Sequence, residues 1–355
     1  MRLQGRRLLS CVRVAMVVWM SGTVLCVYLL QSDHQADLPP PIHTHTMNIP
    51  LNCSSGVRFT GTFKENLQKL EKITIPSSEP WLERLGFNTR MTSRVRSSFP
   101  VLVTAASSSH FLISQGLVRS VQEKVLTKYP AVQLFYFDLG LRPEEKNLLR
   151  RNCKECIMRS FPFNKVPKHV ANLYSYAFKP IIVNLMYKEH GHVWWLDASV
   201  RLVTDELLMP LRYLRETGIL FFTYGSSLNV ALHTHGDMFR YFSEDPCNYK
   251  SYGEVEAGSI MFRRSHVTDV VLRLWAACAL EEGCVAPKDT TRYCDADISE
   301  RVMSDRLSGA CHRYDQSALG IILRRLYHKQ NDYPLVETPF KLTTIQRDRG
   351  IPYFV

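Results

Sequence analysis

HGHVWWLDASVRL (residues 190–202) sets an apolar run, Val193, Trp194, Trp195 and Leu196, directly against a carboxylate, Asp197. Such a run between a glycine and a turn-prone Asp-Ala-Ser reads as a strand buried on both faces. The acid at its carboxyl end is either a turn residue or a group aimed at a ligand. If the strand runs on, Asp197, Ser199 and Arg201 share one face, because extended residues alternate sides.

Outward from this strand, extended and helical patterns alternate. Residues 101–105 and 132–137 read as strands, the second ending on Asp138, with helical spacing over 111–126 and 142–150. Residues 170–187 carry apolar side chains at helical intervals, with Pro180 as a kink or boundary. Thr204 is placed to cap a helix reaching Leu214, with Asp205 and Glu206 in its favourable first turn. Strands follow at 219–223 and 259–262, and helices at 266–280 and 315–327. This alternation predicts an α/β fold with an open, mostly parallel sheet flanked by helices. Ligands of such sheets sit outside the carboxyl ends of the strands, where Asp197 falls.

The 355 residues are 45% hydrophobic and 22% charged, a globular and not a disordered composition. Residues 14–30 carry no charge, and Arg2, Arg6, Arg7 and Arg13 precede them. About 20 helical residues cross a bilayer, and Arg13 can snorkel, so this run reads as a transmembrane anchor with the body on the luminal side. A cleaved signal peptide is the alternative. The expected organisation is a cytoplasmic tail over 1–13, the anchor over 14–30, a proline-containing luminal stem over 31–100, and a luminal domain over 101–355. Within the stem, 67–73 reads as a short helix.

The formal net charge of +11 suits anionic small molecules or acidic glycans, or is simply a solvated basic surface. No basic-aromatic clustering points to nucleic acid. Ten cysteines occur, eight of them beyond the anchor, an even number that suits disulfides in an oxidising compartment. Zinc is the alternative at Cys153-x-x-Cys156, although no matched second pair follows. Asn52-Cys53-Ser54 is a glycosylation sequon. Neither a G-x-S-x-G elbow nor a P-loop is present, which counts against hydrolase and kinase chemistry.

VTAASSSHF (residues 103–111), YSYAFKP (174–180), WWLDASVRL (194–202), EAGSIMF (256–262) and CHRYDQSAL (311–319) together resemble the GT-A glycosyltransferases. More closely, the set resembles an uncharacterised animal family of single-pass, luminal, nucleotide-diphospho-sugar transferase-like proteins. The likeness runs from about residue 100 to the end. It implies a Rossmann-like GT-A sheet, residence in the Golgi membrane as a type II protein, and transfer of sugar from a nucleotide-sugar donor to a glycan or glycoprotein acceptor. Asp197 takes the place of the first acid of an Asp-x-Asp metal motif, and Ser199 stands where the second is expected.

A manganese or magnesium ion on Asp197 would neutralise the departing diphosphate. Lys179 or Arg201 would supply positive charge to the same end. Thr104 and the loop of Ser107, Ser108, Ser109 and His110 face the nucleotide in this expectation. Glu256 and Asp315 belong to the acceptor side, Glu256 as a candidate base beside the small Ala257-Gly258.

Each assignment has a plainer rival. Asp197, Ser199 and Glu256 are also ordinary turn or loop residues, Arg201 a surface charge, and Asp315 a helix N-cap. His312 and His328 are candidate ligands or structural histidines, and His190 and His192 flank a glycine turn. Trp194 and Trp195 read as core. Asp295-Ala296-Asp297 matches Asp-x-Asp letter for letter, but no apolar strand precedes it, so a loop or helix start is the better reading. A catalytically inactive glycan-binding or scaffolding protein on the same fold is the second function class. A disulfide-rich surface interaction protein is the third.

Overall fold

The computed structural model describes residues 19–20, 23–24, 53, 59–88, 99–223, 229–291, 311–328, 342–347 and 352–354. The chain divides into two compact units, Met1–His45 and Thr46–Val355. In the first, Trp19–Met20 pairs antiparallel with Thr23–Val24. The remainder of the anchor expected over 14–30 lies outside the described residues. Among the described residues no helix is long and apolar enough to cross a membrane.

The second unit is a mixed, mostly parallel sheet flanked by helices. Its strands are β1 (Val101–Ala106), β2 (Leu134–Asp138), β3 (Cys156–Ser160), β4 (His192–Leu196), β6 (Ile219–Thr223) and β7 (Val255–Arg263). They lie in the order β3-β2-β1-β4-β7-β6. The first four are parallel, and β7 runs antiparallel to both neighbours. A separate two-stranded pair joins β5 (Val200–Leu202) to β8 (Thr343–Ile345). The opening stretch forms β4 as its apolar run predicts, fully buried from His192 to Leu196.

Both faces of the sheet are covered. Val103, Trp195 and Phe262 point into one core, packed by α5 (Phe178–His190), α8 (His266–Ala279) and α10 (Asp315–Leu326). Leu102, Trp194 and Met261 point into the other, against α3 (Ser108–Val121). Pro180 falls in the first turn of α5, where a missing N–H costs nothing, so it marks the helix boundary. The remaining helices are α1 (Phe63–Glu71), α2 (Glu79–Arg84), α4 (Pro143–Asn152), α6 (Leu208–Thr217), α7 (Gly236–Tyr241) and α9 (Glu282–Val285).

Several boundaries differ from expectation. The helix assigned to Thr204 begins only at Leu208, because Asp205 and Glu206 pair with Lys128 at 3.2 Å instead of entering a first turn. The second compact unit runs over Thr46–Val355. α1 and α2 lie in the expected stem, yet Leu70, Ile75, Leu82 and Phe87 join the main core. Cys53–Cys247 ties this segment to the body, and Cys153–Cys156 is a disulfide where zinc was the rival. Cys278–Cys284 is also bridged, and Cys311 is disulfide-bonded.

Arg201 has a structural post. Its buried guanidinium donates to the carbonyls of Ala198 (3.0 Å), Val200 (2.9 Å) and Ile113 (3.0 Å), fastening the turn after β4 to α3. Gly116 of α3 makes room for it, since a Cβ there would collide with the Arg201 guanidinium. Gly116→Ala is therefore expected to destabilise the fold by about 1–3 kcal/mol, measured by denaturant unfolding. An unchanged midpoint would show that Arg201 can move aside freely.

Candidate functional site

At the topological switch point, β1 hands the chain off toward β2 and β3, while its other neighbour, β4, lies beside β7. Asp197 stands here. Its amide donates to Gly258 O at 2.8 Å, and its carbonyl accepts from Val200 N at 2.9 Å. The second bond closes a turn, so the strand does not run on through Ser199. The expected shared face of Asp197, Ser199 and Arg201 is thereby broken. Ser199 sits half-buried in the turn, its carbonyl accepting from Gln346 N at 2.8 Å, and Arg201 points into α3 as described.

Two other predicted residues do meet Asp197. The ammonium of Lys179, in the first turn of α5, lies 3.1 Å from Asp197 Oδ1 and 3.0 Å from Asp315 Oδ2. It also donates to Ala257 O at 3.3 Å. Lys179 and Asp315 are buried, at 4% and 3% side-chain exposure, whereas Asp197 is 32% exposed and reaches solvent. Below the ammonium, the rings of Tyr176 and Trp195 lie 5.6 and 5.9 Å away, within cation–π range. Facing two carboxylates holds Lys179 above its ordinary pKa despite burial.

Asp315 is not the N-cap but the first residue of α10, following Tyr314 at φ 48° and ψ −115°. A tyrosine in the left-handed region is strained, and Tyr176, at φ 53°, repeats this three residues before Lys179. Trp275 Nε1 donates to Asp315 O at 2.8 Å and fixes the helix start. Burial pushes the Asp315 carboxyl up to about 6, against the pull of Lys179 and with the push of Asp197.

That shift sets a pH dependence. A carboxyl raised in the folded state contributes stability below its unfolded value of 3.8, and loses it as the pH rises through about 6. The melting temperature of the wild type is expected to fall from pH 5 to 7 relative to Asp315→Asn, which lacks this proton. Parallel profiles would contradict the assignment.

Glu256 lies on β7 where that strand is irregular. Leu220 pairs with Met261 but Phe222 with Glu256, so extra residues of β7 are bulged out around Gly258. A Cβ at Gly258 would come to 3.4 Å from Asp197 Oδ2, so the glycine forms a cradle beside that oxygen. Burial, then the negative charge of Asp197, raise the pKa of Glu256. The site thus sets two carboxylates on one ammonium, with Glu256 within electrostatic reach of Asp197. A cavity of about 240 Å³, lined by Ser109, His110, Tyr174 and Tyr176, connects to this grouping through Tyr176, whose ring faces the Lys179 ammonium. A larger cavity of about 630 Å³ lies at the opposite end of α5, against Tyr187 and Lys188, away from this grouping.

The other candidates fall elsewhere. Thr104 is fully buried in mid-strand, and its hydroxyl has no hydrogen-bond partner among the described residues. Ser107 hydrogen-bonds Ser109 at 2.9 Å, and Ser108 donates to Gly140 O at 3.0 Å, joining the loops after β1 and β2. His312 is buried with its pKa lowered to about 3. Its Nδ1 accepts from His235 N at 3.2 Å while Nε2 faces Val285 O at 3.1 Å, so it is a neutral structural histidine. His328 follows the far end of α10, ~20 Å along the chain direction from Asp315, and its Nδ1 lies 3.4 Å from Asn66 Nδ2. His190 and His192 stand at the opposite end of β4, on either side of the Gly191 helix cap. Asp295 and Asp297 lie outside the described residues.

Sequence reasoning missed the bond from Trp195 Nε1 to Asp197 Oδ1, 2.7 Å, and the buried contact of His233 Nδ1 with Glu254 Oε2, 3.0 Å. The first had a signal, since an indole N–H buried beside an acid needs an acceptor.

Residues 47–184 match a family model described as a protein of unknown function, DUF1647. None of the curated proteins matches the sequence. Similar solved structures include the apo form of the bifunctional glycosyltransferase WbbM, at 14% identity and TM-score 0.38, covering 67% of this chain and 39% of that one. The chain thus spans about two fifths of the length of WbbM. The galactosyltransferase LgtC, in complex with donor and acceptor sugar analogs, is 14% identical at TM-score 0.32, covering 64% and 70%. Core-mannan synthase A (Ktr4) from Aspergillus fumigatus, in its Mn/GDP form, is 8% identical at TM-score 0.35, covering 67% and 72%.

Proposed function

We propose that the chain is a glycosyltransferase, moving a sugar from a nucleotide-sugar donor to a glycan or glycoprotein acceptor as a single-pass type II protein of the Golgi membrane. The observation that supports this reading is the Asp197–Lys179–Asp315 ion triad at the carboxyl edge of the sheet, with Glu256 within electrostatic reach of Asp197. In sugar transfer the bond from sugar to phosphate breaks, the diphosphate leaves with added negative charge, and the acceptor hydroxyl gives up a proton.

Asp197 presents its exposed carboxylate to the donor. Lys179 counters the charge of Asp197 and Asp315 from beneath and fixes their orientation. Glu256, its pKa raised by burial, is suited to take the acceptor proton, and Asp315 shapes the acceptor side.

Magnesium or manganese, held mostly by phosphate and water, needs only one or two protein carboxylates. Asp197 Oδ2 in the Gly258 cradle, with Glu256 nearby, has that chemistry. Such an ion, when bound, would stabilise the leaving diphosphate.

A second reading is a glycan-binding or scaffolding protein without turnover. It is favoured by the Asp-Ala-Ser turn, which brings no second carboxylate. A thermal-shift panel of nucleotide sugars, with product analysis, separates the two. Donor binding with turnover supports the enzyme, and glycan binding without donor supports the second reading. Absence of both donor and glycan binding points instead to an interaction protein.

A further inference from the structure

We infer that Trp195 is a positioning residue for Asp197, its indole N–H selecting which carboxylate oxygen faces the ligand. Trp195 is almost wholly buried and its ring packs in the core, a role that needs no N–H. Yet that N–H is spent on Asp197 Oδ1 at 2.7 Å, a short bond of the charge-assisted kind. Lys179 approaches the same oxygen at 3.1 Å. Oδ1 is therefore held from two directions, by an indole and an ammonium that are themselves fixed by packing. Among the described residues Oδ2 has only the longer Lys179 contact, 3.3 Å, and it lies in the Gly258 cradle.

The neighbouring tryptophan provides an internal comparison. Trp194, on the other face of β4, donates at 3.1 Å to the neutral hydroxyl of Ser259. Two adjacent, buried indoles thus differ in what they hold: one a core hydroxyl, the other the solvent-reaching carboxylate. A partner that orients a ligand-facing carboxylate in this way typically contributes about 10–100-fold to binding or activity.

The inference rests on the reading of Asp197 as a donor-facing group. The test uses the full chain, purified in detergent and labelled with 15N-tryptophan, in which Trp195→Phe identifies the Trp195 indole resonance. Asp197→Asn is expected to move that resonance upfield and leave the Trp194 resonance in place. Uridine, guanosine and cytidine diphosphates are then titrated with magnesium. The wild type is expected to bind at least one, with a shift of the Trp195 resonance, and Trp195→Phe to bind it about tenfold more weakly with a melting temperature close to wild type.

A Trp195 resonance indifferent to Asp197→Asn, or equal affinity in wild type and Trp195→Phe, overturns the inference and leaves the donor site standing. Failure of the wild type to bind any of the diphosphates overturns the donor reading and the inference with it. Should Trp195→Phe misfold, the Trp195 resonance is assigned by elimination from Trp19→Phe, Trp81→Phe, Trp194→Phe and Trp275→Phe, and the Asp197→Asn spectrum then decides.

Discussion

Lys179→Met is expected to destabilise the protein by about 3–5 kcal/mol, a drop in melting temperature on the order of 10 °C. Among the described residues the ammonium of Lys179 is the one positive charge paired with both Asp197 and Asp315, and it is buried with Asp315. Methionine keeps the stem of the side chain but leaves two carboxylates facing each other, one of them in the interior. Removing one partner of a buried pair costs more than the pair ever contributed, because the orphaned charge stays desolvated.

The loss has a pH signature. Without Lys179 the Asp315 carboxyl is raised further, so the variant is least impaired near pH 5, where Asp315 holds its proton, and most impaired near pH 8. Adding Asp315→Asn to Lys179→Met is expected to recover part of the loss by removing the buried charge. A loss below about 1 kcal/mol at pH 8 would show that the triad is not a coupled unit.

Asp197→Asn is expected to act on function with little effect on the fold. Asparagine Oδ1 still accepts from Trp195 Nε1, and Lys179 keeps Asp315 at 3.0 Å, so the interior remains paired. What changes is the exposed edge, where an amide N–H replaces the oxygen that would face a metal-diphosphate. Loss of one preorganised electrostatic contact at developing charge typically lowers turnover by about 10²–10³. Donor affinity should fall in parallel, while the melting temperature moves by only a few degrees. Retained donor binding and turnover would assign Asp197 to the turn alone.

Much of this site was legible because it depends on patterns that survive without three dimensions. The apolar run before Asp197 specified a buried strand, and the position of an acid at its end followed from strand polarity. Asp315 was legible as an acid at a helix start, and Lys179 as a basic residue beside the Pro180 boundary. Their meeting was not, since a salt bridge across 136 positions leaves no periodicity behind. The face shared by Asp197, Ser199 and Arg201 failed for a local reason: one hydrogen bond, Val200 N to Asp197 O, ends the strand and turns Arg201 toward α3.

Edge strand β3 escaped notice because its residues, Cys156 to Ser160, are only half-buried and so carry no alternation. The bulge in β7 hid half of that strand, as Glu256 and Gly258 interrupt the apolar pattern. The stem assignment missed Leu70 and Leu82, which are spaced for helices but packed against distant parts of the chain. Strain at Tyr176 and Tyr314 had no sequence signal, since tyrosine is not a residue that seeks positive φ.

The account turns on whether the exposed carboxylate of Asp197 binds a donor. Isothermal titration of wild type and Asp197→Asn with a panel of nucleotide sugars, with and without manganese, measures this directly. Saturable binding of at least one donor by the wild type, reduced at least tenfold in Asp197→Asn with the fold retained, is the predicted result. Equal affinity in both proteins, or no binding by the wild type to any donor, would contradict it.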